Sequence, residues 1–80
     1  WPTIDEKSVN FGEMAERGLL VTADRGNAIV MTWMGNTFFF DATNPEAQAF
    51  VWEQCKKNYY QYGIRCFWLD ESEPEYGPYD

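Results

Sequence analysis

Hydrophobic positions change their spacing along this chain, and each spacing predicts a different element. Leu19 to Thr22, Ala28 to Trp33 and Thr37 to Phe40 are short apolar runs, separated by Asp24-Arg25-Gly26-Asn27 and Gly35-Asn36. Runs of that length bounded by turn residues read as strands, so a small antiparallel excursion is expected here. From Ala47 the spacing lengthens. Ala47, Val51, Cys55, Asn58 or Tyr59, and Tyr62 follow the three-to-four spacing of a buried helical stripe. Phe50 and Trp52 widen the stripe, while Gln48, Glu53, Lys56 and Lys57 fall on the wet side. After Gly63, the run Ile64 to Leu69 is bounded by turn signals and reads as a buried strand.

Local signals place the boundaries. Asn44-Pro45-Glu46 combines a favoured N-cap, a favoured first helical residue and an acidic first turn. The helix is therefore expected over 45–62, ended by Gly63. Asn10, with Glu13 at the capping-box position, predicts a short helix from Phe11 to Arg17, with Met14 and Phe11 on its buried edge and Gly18 closing it. Trp1 to Ile4 reads as the end of a strand, where Pro2 is tolerable, and Asp5, Glu6 and Lys7 as an exposed loop.

The resulting order is a strand end (1–4), a long βα excursion (5–44), a helix (45–62), a strand (64–70) and a further βα loop (71–80). That is one repeat of an α/β protein, a partial (β/α)8 barrel. About 40 residues between strand and helix is far beyond the usual two to six. Long loops at that face of a barrel normally shape the mouth of a site.

The last strand ends in four carboxylates, Asp70, Glu71, Glu73 and Glu75. Alternation along a strand puts Ile64, Cys66, Trp68 and Asp70 on one face and Arg65, Phe67, Leu69 and Glu71 on the other. A carboxylate at the C-terminal tip of a barrel strand is where catalytic groups sit, and an aromatic platform beside it suits a sugar ring. Spacing alone is equally consistent with a strand-capping Asp or with a site for a hard cation.

Trp68-Leu69-Asp70-Glu71-Ser72-Glu73 resembles the Trp-x-Asp-x-x-Glu nucleophile signature of glycoside hydrolase family 31. Asp41-Ala42-Thr43-Asn44-Pro45-Glu46-Ala47 is similar to that family's Asp-x-Thr-Asn-Pro-Glu-Ala segment, and Trp1-Pro2 to the end of its third barrel strand. The resemblance implies a retaining α-glycosidase with Asp70 as nucleophile, Trp68 and Trp1 lining the sugar subsite, and Glu73 and Asp41 in supporting roles. Asp41 would accept backbone hydrogen bonds where strand turns into helix. The second carboxylate, the acid/base, would come from a later strand outside this chain, and no cofactor or metal is implied. The ending Asp-Glu-Ser-Glu-Pro-Glu leans toward α-xylosidases over α-glucosidases, although Trp68 stands where some xylosidases carry Lys.

Composition then bounds the rest. Eighty residues make at most one small domain, near the size where one core becomes marginal. With 19% aromatic residues, four of them Trp and five Tyr, the chain is expected to present surface that more protein covers, and both ends to be cuts. The expected partners are the rest of the catalytic barrel and an oligosaccharide substrate. The parent could also form a homo-oligomer, and the isolated piece is expected to be inactive.

A net charge of −7 argues against nucleic acid and anionic membrane surfaces. There is no histidine, which removes His-based triads and His metal sites from this segment. Cys66, on the inward face, and Cys55, on the helix side, are not expected to bridge, and free thiols fit a reducing compartment such as the cytoplasm. The competing reading is an aromatic-rich carbohydrate-binding module without catalysis.

Overall fold

The structure is a computed structural model that describes residues 1–23, 26, 29–32 and 35–70. Its elements are β1 (Thr3–Asp5), α1 (Phe11–Glu16), β2 (Met31–Thr32), β3 (Asn36–Phe39), α2 (Pro45–Asn58) and a 3-10 turn (Tyr60–Tyr62). The strands form one antiparallel sheet in the order β1-β3-β2, with Ile4 opposite Phe38 and Met31 opposite Thr37.

The excursion is antiparallel, as its short apolar runs suggest, but its partner was not legible. β1 belongs to the excursion's sheet and pairs with β3, so the division between a strand end at 1–4 and a loop from residue 5 does not hold as a structural boundary. The expected strand from Leu19 to Thr22 is reduced to isolated bridge residues, Leu20, which pairs with Phe40, and Thr22. Backbone bonds flank the Leu20–Phe40 bridge, from Val21 N–H to the Phe39 carbonyl (2.9 Å) and from Asp41 N–H to the Leu19 carbonyl (2.7 Å). Phe40 N–H turns to the other edge and donates to Pro2 (3.1 Å). Most of the turn at 24–27, and Ala28 and Trp33 of the second strand, lie outside the described residues.

α1 ends at Glu16 with Arg17 as its cap. The expected capping box is not formed. Asn10 already has right-handed helical backbone angles (φ −91°, ψ −14°) and makes no side-chain cap bond, so its side chain is not placed over the free amides. Glu13 instead pairs with Arg17 at 2.9 Å, one turn on. Gly18 closes the helix at φ 70°. Its N–H bonds the Ala15 carbonyl (3.2 Å), and Leu19 N–H bonds the Met14 carbonyl (2.9 Å). This is the paired arrangement of a Schellman motif, and only glycine adopts its left-handed residue without strain.

Met14 and Leu19, joined by that turn, are the two largest fully buried side chains. With Leu20, Phe38, Ala47 and Phe50 they form the core, against which Ile4, Phe11, Phe40 and Val51 pack. Phe11 lies on Phe38 with ring centroids 4.9 Å apart. Each such side chain contributes roughly 1.5–3 kcal/mol on full burial. The core thus lies between the excursion and the first half of α2.

The second half of α2 is different. The helix ends at Asn58 rather than Tyr62, and its last turn tightens to 3-10 geometry, a common way to finish a helix. Of the expected stripe, Ala47 and Phe50 are buried, whereas Trp52, Tyr59 and Tyr62 are exposed. Gly63 (φ 101°) closes this end as Gly18 closes α1, with Ile64 N–H bonded to the Tyr59 carbonyl at 3.2 Å. The strand expected over 64–70 is not formed. These residues carry no regular secondary structure and are exposed, Cys66 included. A strand is defined by its neighbours, and no other described strand pairs with this segment. The expected loop at 71–80 lies outside the described residues. No helix of the described residues is long and apolar enough to cross a membrane.

Candidate active site

The turn from Asp41 to Asn44 is the most tightly specified piece of the candidate site. Asp41 is half-buried, and its Oδ1 accepts from the Thr43 N–H (3.0 Å) and the Thr43 hydroxyl (2.6 Å). Its carbonyl accepts from Asn44 N–H (3.0 Å). A short acidic side chain bonded two residues ahead competes with helix and ladder, and so turns the chain. Asn44 then starts α2, its Oδ1 accepting from Glu46 N–H at 2.9 Å. Pro45 comes next, with its φ already set for the helix.

Four further contacts on and beside this turn were not foreseen. Asn44 Nδ2 reaches the Gly18 carbonyl (3.5 Å), Gln48 Nε2 donates to the Ala42 carbonyl (2.7 Å), and Arg17 lies 5.4 Å over the Phe50 ring. Arg17 also sits 3.9 Å from Glu46. The Asn-Pro-Glu pattern signals a cap, but nothing local signals that the same amide faces residue 18.

Asp70 is exposed at the end of the described chain. Just before it, Phe67 and Leu69 border a cleft of about 370 Å³ whose other wall is Val51, Trp52 and Cys55 of α2, with Phe40, Ala42 and Gln48 at one end. Phe67 is 37% exposed and forms part of the wall, while Leu69 at 86% touches only the rim. Trp68 between them is 86% exposed and Trp1 54%. Trp1 is tethered to the same end, because its neighbour Pro2 bonds Phe40. Both cysteines are free thiols. Among the described residues no three His, Cys, Asp or Glu side chains group to hold a metal. Glu71, Glu73 and Glu75, and hence the cation reading and the supporting role given to Glu73, lie outside the described residues.

The chain's full length, residues 1–80, matches the model of the glycosyl hydrolases family 31 TIM-barrel domain. The chain belongs to glycosyl hydrolase family 31.

Its relatives are much longer. It is 56% identical over 80 residues to an uncharacterized family 31 glucosidase of Pseudescherichia vulneris, covering all of this chain and 15% of that protein. It is 38% identical over 74 residues to alpha-xylosidase A of Aspergillus niger, covering 91% of this chain and 10% of that protein. Among solved structures it superposes on a family 31 alpha-xylosidase from a soil metagenome, complexed with xylose. The TM-score is 0.85 and the identity 57%, over all of this chain and 12% of the other. The Aspergillus niger xylosidase structure matches with a TM-score of 0.69 at 39% identity, over 80% of this chain and 9% of the other. The chain therefore spans between about a tenth and a seventh of the length of the relatives it matches.

Proposed function

We propose that this chain is the nucleophile-bearing slice of the catalytic barrel of a retaining α-glycoside hydrolase acting on terminal α-linked xylose or glucose. The observation that carries this reading is the match of all 80 residues to the family's barrel domain, with Trp68-x-Asp70 at the tip of an apolar run. The slice consists of the antiparallel excursion, β1 included, then α2 and the segment 64–70, which would become a strand beside its barrel neighbours. Xylose is favoured over glucose by the Asp70-Glu71-Ser72-Glu73-Pro74-Glu75 ending and by both structural relatives being xylosidases.

In this mechanism the Asp70 carboxylate attacks the anomeric carbon while a second carboxyl group, about 5–5.5 Å away in retaining enzymes, protonates the departing oxygen. Water then attacks the glycosyl-enzyme ester, giving its proton back to that second group, and the sugar leaves with its configuration kept. This chain supplies the first carboxylate and, in Trp68 and Trp1, apolar surface for the ring. The second carboxylate belongs to a later barrel strand. A self-sufficient carbohydrate-binding module has less support, since the exposed apolar segment 64–70 is poorly suited to a finished surface.

The test is hydrolysis of aryl α-xylosides and α-glucosides by the full-length protein and by its Asp70→Ala variant. Turnover is expected from the first and a loss of at least about 10⁴-fold from the second, the scale on which removing a nucleophile usually acts. The 80-residue chain alone is expected to show none. Activity surviving in a folded Asp70→Ala variant would remove Asp70 from the mechanism.

A further inference from the structure

We propose that Asn44 is a positioning residue for this reaction, registering the excursion against the end of α2 beside which Asp70 emerges. The inference rests on the functional reading above and deepens it.

Asn44 uses both ends of its amide on different elements. Oδ1 accepts from Glu46 N–H and begins α2, while Nδ2 points at the Gly18 carbonyl, in the turn that closes α1. A cap needs only the acceptor, which Asp or Ser would supply equally well. Asn adds to that acceptor an NH2 donor on a separate atom, so one side chain can cap and reach across at once. Arg17, next to Gly18, makes a second tie by lying over Phe50 of α2. Asp41 N–H makes a third, to the Leu19 carbonyl. All three join residues 17–19 to residues 41–50.

The same region borders the cleft whose rim Leu69 touches, since Ala42 and Gln48 line it and are bonded to each other. Excursion, helix start and the residue before Asp70 therefore line one cleft. At 3.5 Å the Asn44–Gly18 contact is at the long end of hydrogen-bond range. Its loss is expected to shift the excursion more than to unfold it. A shifted excursion changes how a substrate extending over it is held, and leaves the chemistry at the anomeric carbon unchanged.

The experiment compares the full-length protein with Asn44→Asp and Asn44→Ala on an aryl α-xyloside and on an α-xylosyl oligosaccharide, together with thermal unfolding. Asn44→Asp retains the cap acceptor and is expected to melt with the wild type. Its KM for the oligosaccharide is expected to rise roughly two- to thirtyfold, the range for residues that act without touching ligand, with kcat on the aryl substrate little changed. Asn44→Ala should show the same KM effect and a lowered Tm. Arg17→Met, which leaves the cap intact, is expected to raise the same KM.

Wild-type KM values for Asn44→Asp and Arg17→Met, with only a lowered Tm for Asn44→Ala, would reduce Asn44 to a helix cap and overturn the inference. An equal loss on both substrates would overturn it too, by placing the effect on the chemistry. A wild-type protein inactive on both aryl α-xylosides and α-glucosides would instead overturn the functional reading itself.

Discussion

Two glycines end two helices with the same backbone device, and the chain after each meets a different fate. Gly18 hands the chain to Leu19, which is 0% exposed, and Gly63 hands it to Ile64, which is 50% exposed. Both turns are read directly from a glycine after a helical stretch, because the left-handed residue is a local requirement. The packing of the next residues is not a local matter. Leu19 finds Met14, Phe38, Ala47 and Phe50 waiting. Residues 64–70 are also largely apolar, yet among the described residues they meet α2, Phe40 and Ala42 across an open cleft and stay exposed. The difference lies in what surrounds each turn, not in the turns.

This contrast sets the expected sizes of substitutions in the 80-residue chain. Phe50→Ala removes a side chain shared by α1, the excursion and α2, and should cost about 3–5 kcal/mol. Against a total of about 4–12 kcal/mol for 80 residues, that is a quarter of the stability or more, and the thermal transition followed by circular dichroism should fall steeply.

A direct comparison of the two glycines comes next. Neither offers a steric clash to an added Cβ, so only backbone strain of about 1–2 kcal/mol is at stake. Gly18→Ala should lower the chain's stability by that amount in urea unfolding. Gly63→Ala should cost less, because the turn it strains leads only to exposed contacts, Arg65 over Tyr60 and Phe67 edge-on to Tyr59. Equal losses would mean that the 64–70 segment belongs to the cooperative unit after all.

The smallest effect is expected from Trp68→Ala and Leu69→Ala, within about 0.5 kcal/mol as for exposed sites generally. Amide exchange over 64–70 should be correspondingly fast.

The same division explains what could be read from residues alone. The start of α2 was legible because Asn44, Pro45 and Glu46 each act within one turn. The supporting role of Asp41 came from the family resemblance, although a bond two residues ahead is local and in principle legible. The pairing of β1 with β3 was not, because Thr3 and Phe39 meet across the whole excursion and the choice between edge partners depends on every intervening loop. The capping box at Asn10 failed through a backbone angle that composition does not specify. At the candidate site, alternation sorted Trp68 and Asp70 from Phe67 and Leu69. That sorting presumes a strand, and no described strand pairs with 64–70. The proposed acid/base partner is signalled by no pattern in these residues.

The turn at Gly63 also has a consequence for the timing of the chain, in the sense of a gear. Ile64 N–H is still bonded back to Tyr59, so the apolar run begins with no slack after the helix. In the barrel strand proposed above each residue would point opposite to the one before it, which would phase Asp70 to the last turn of α2. In that strand, one residue inserted or removed between Gly63 and Asp70 would exchange the two faces, putting Leu69 on the face proposed for Asp70. The connection tolerates changes of side chain far better than a change of count.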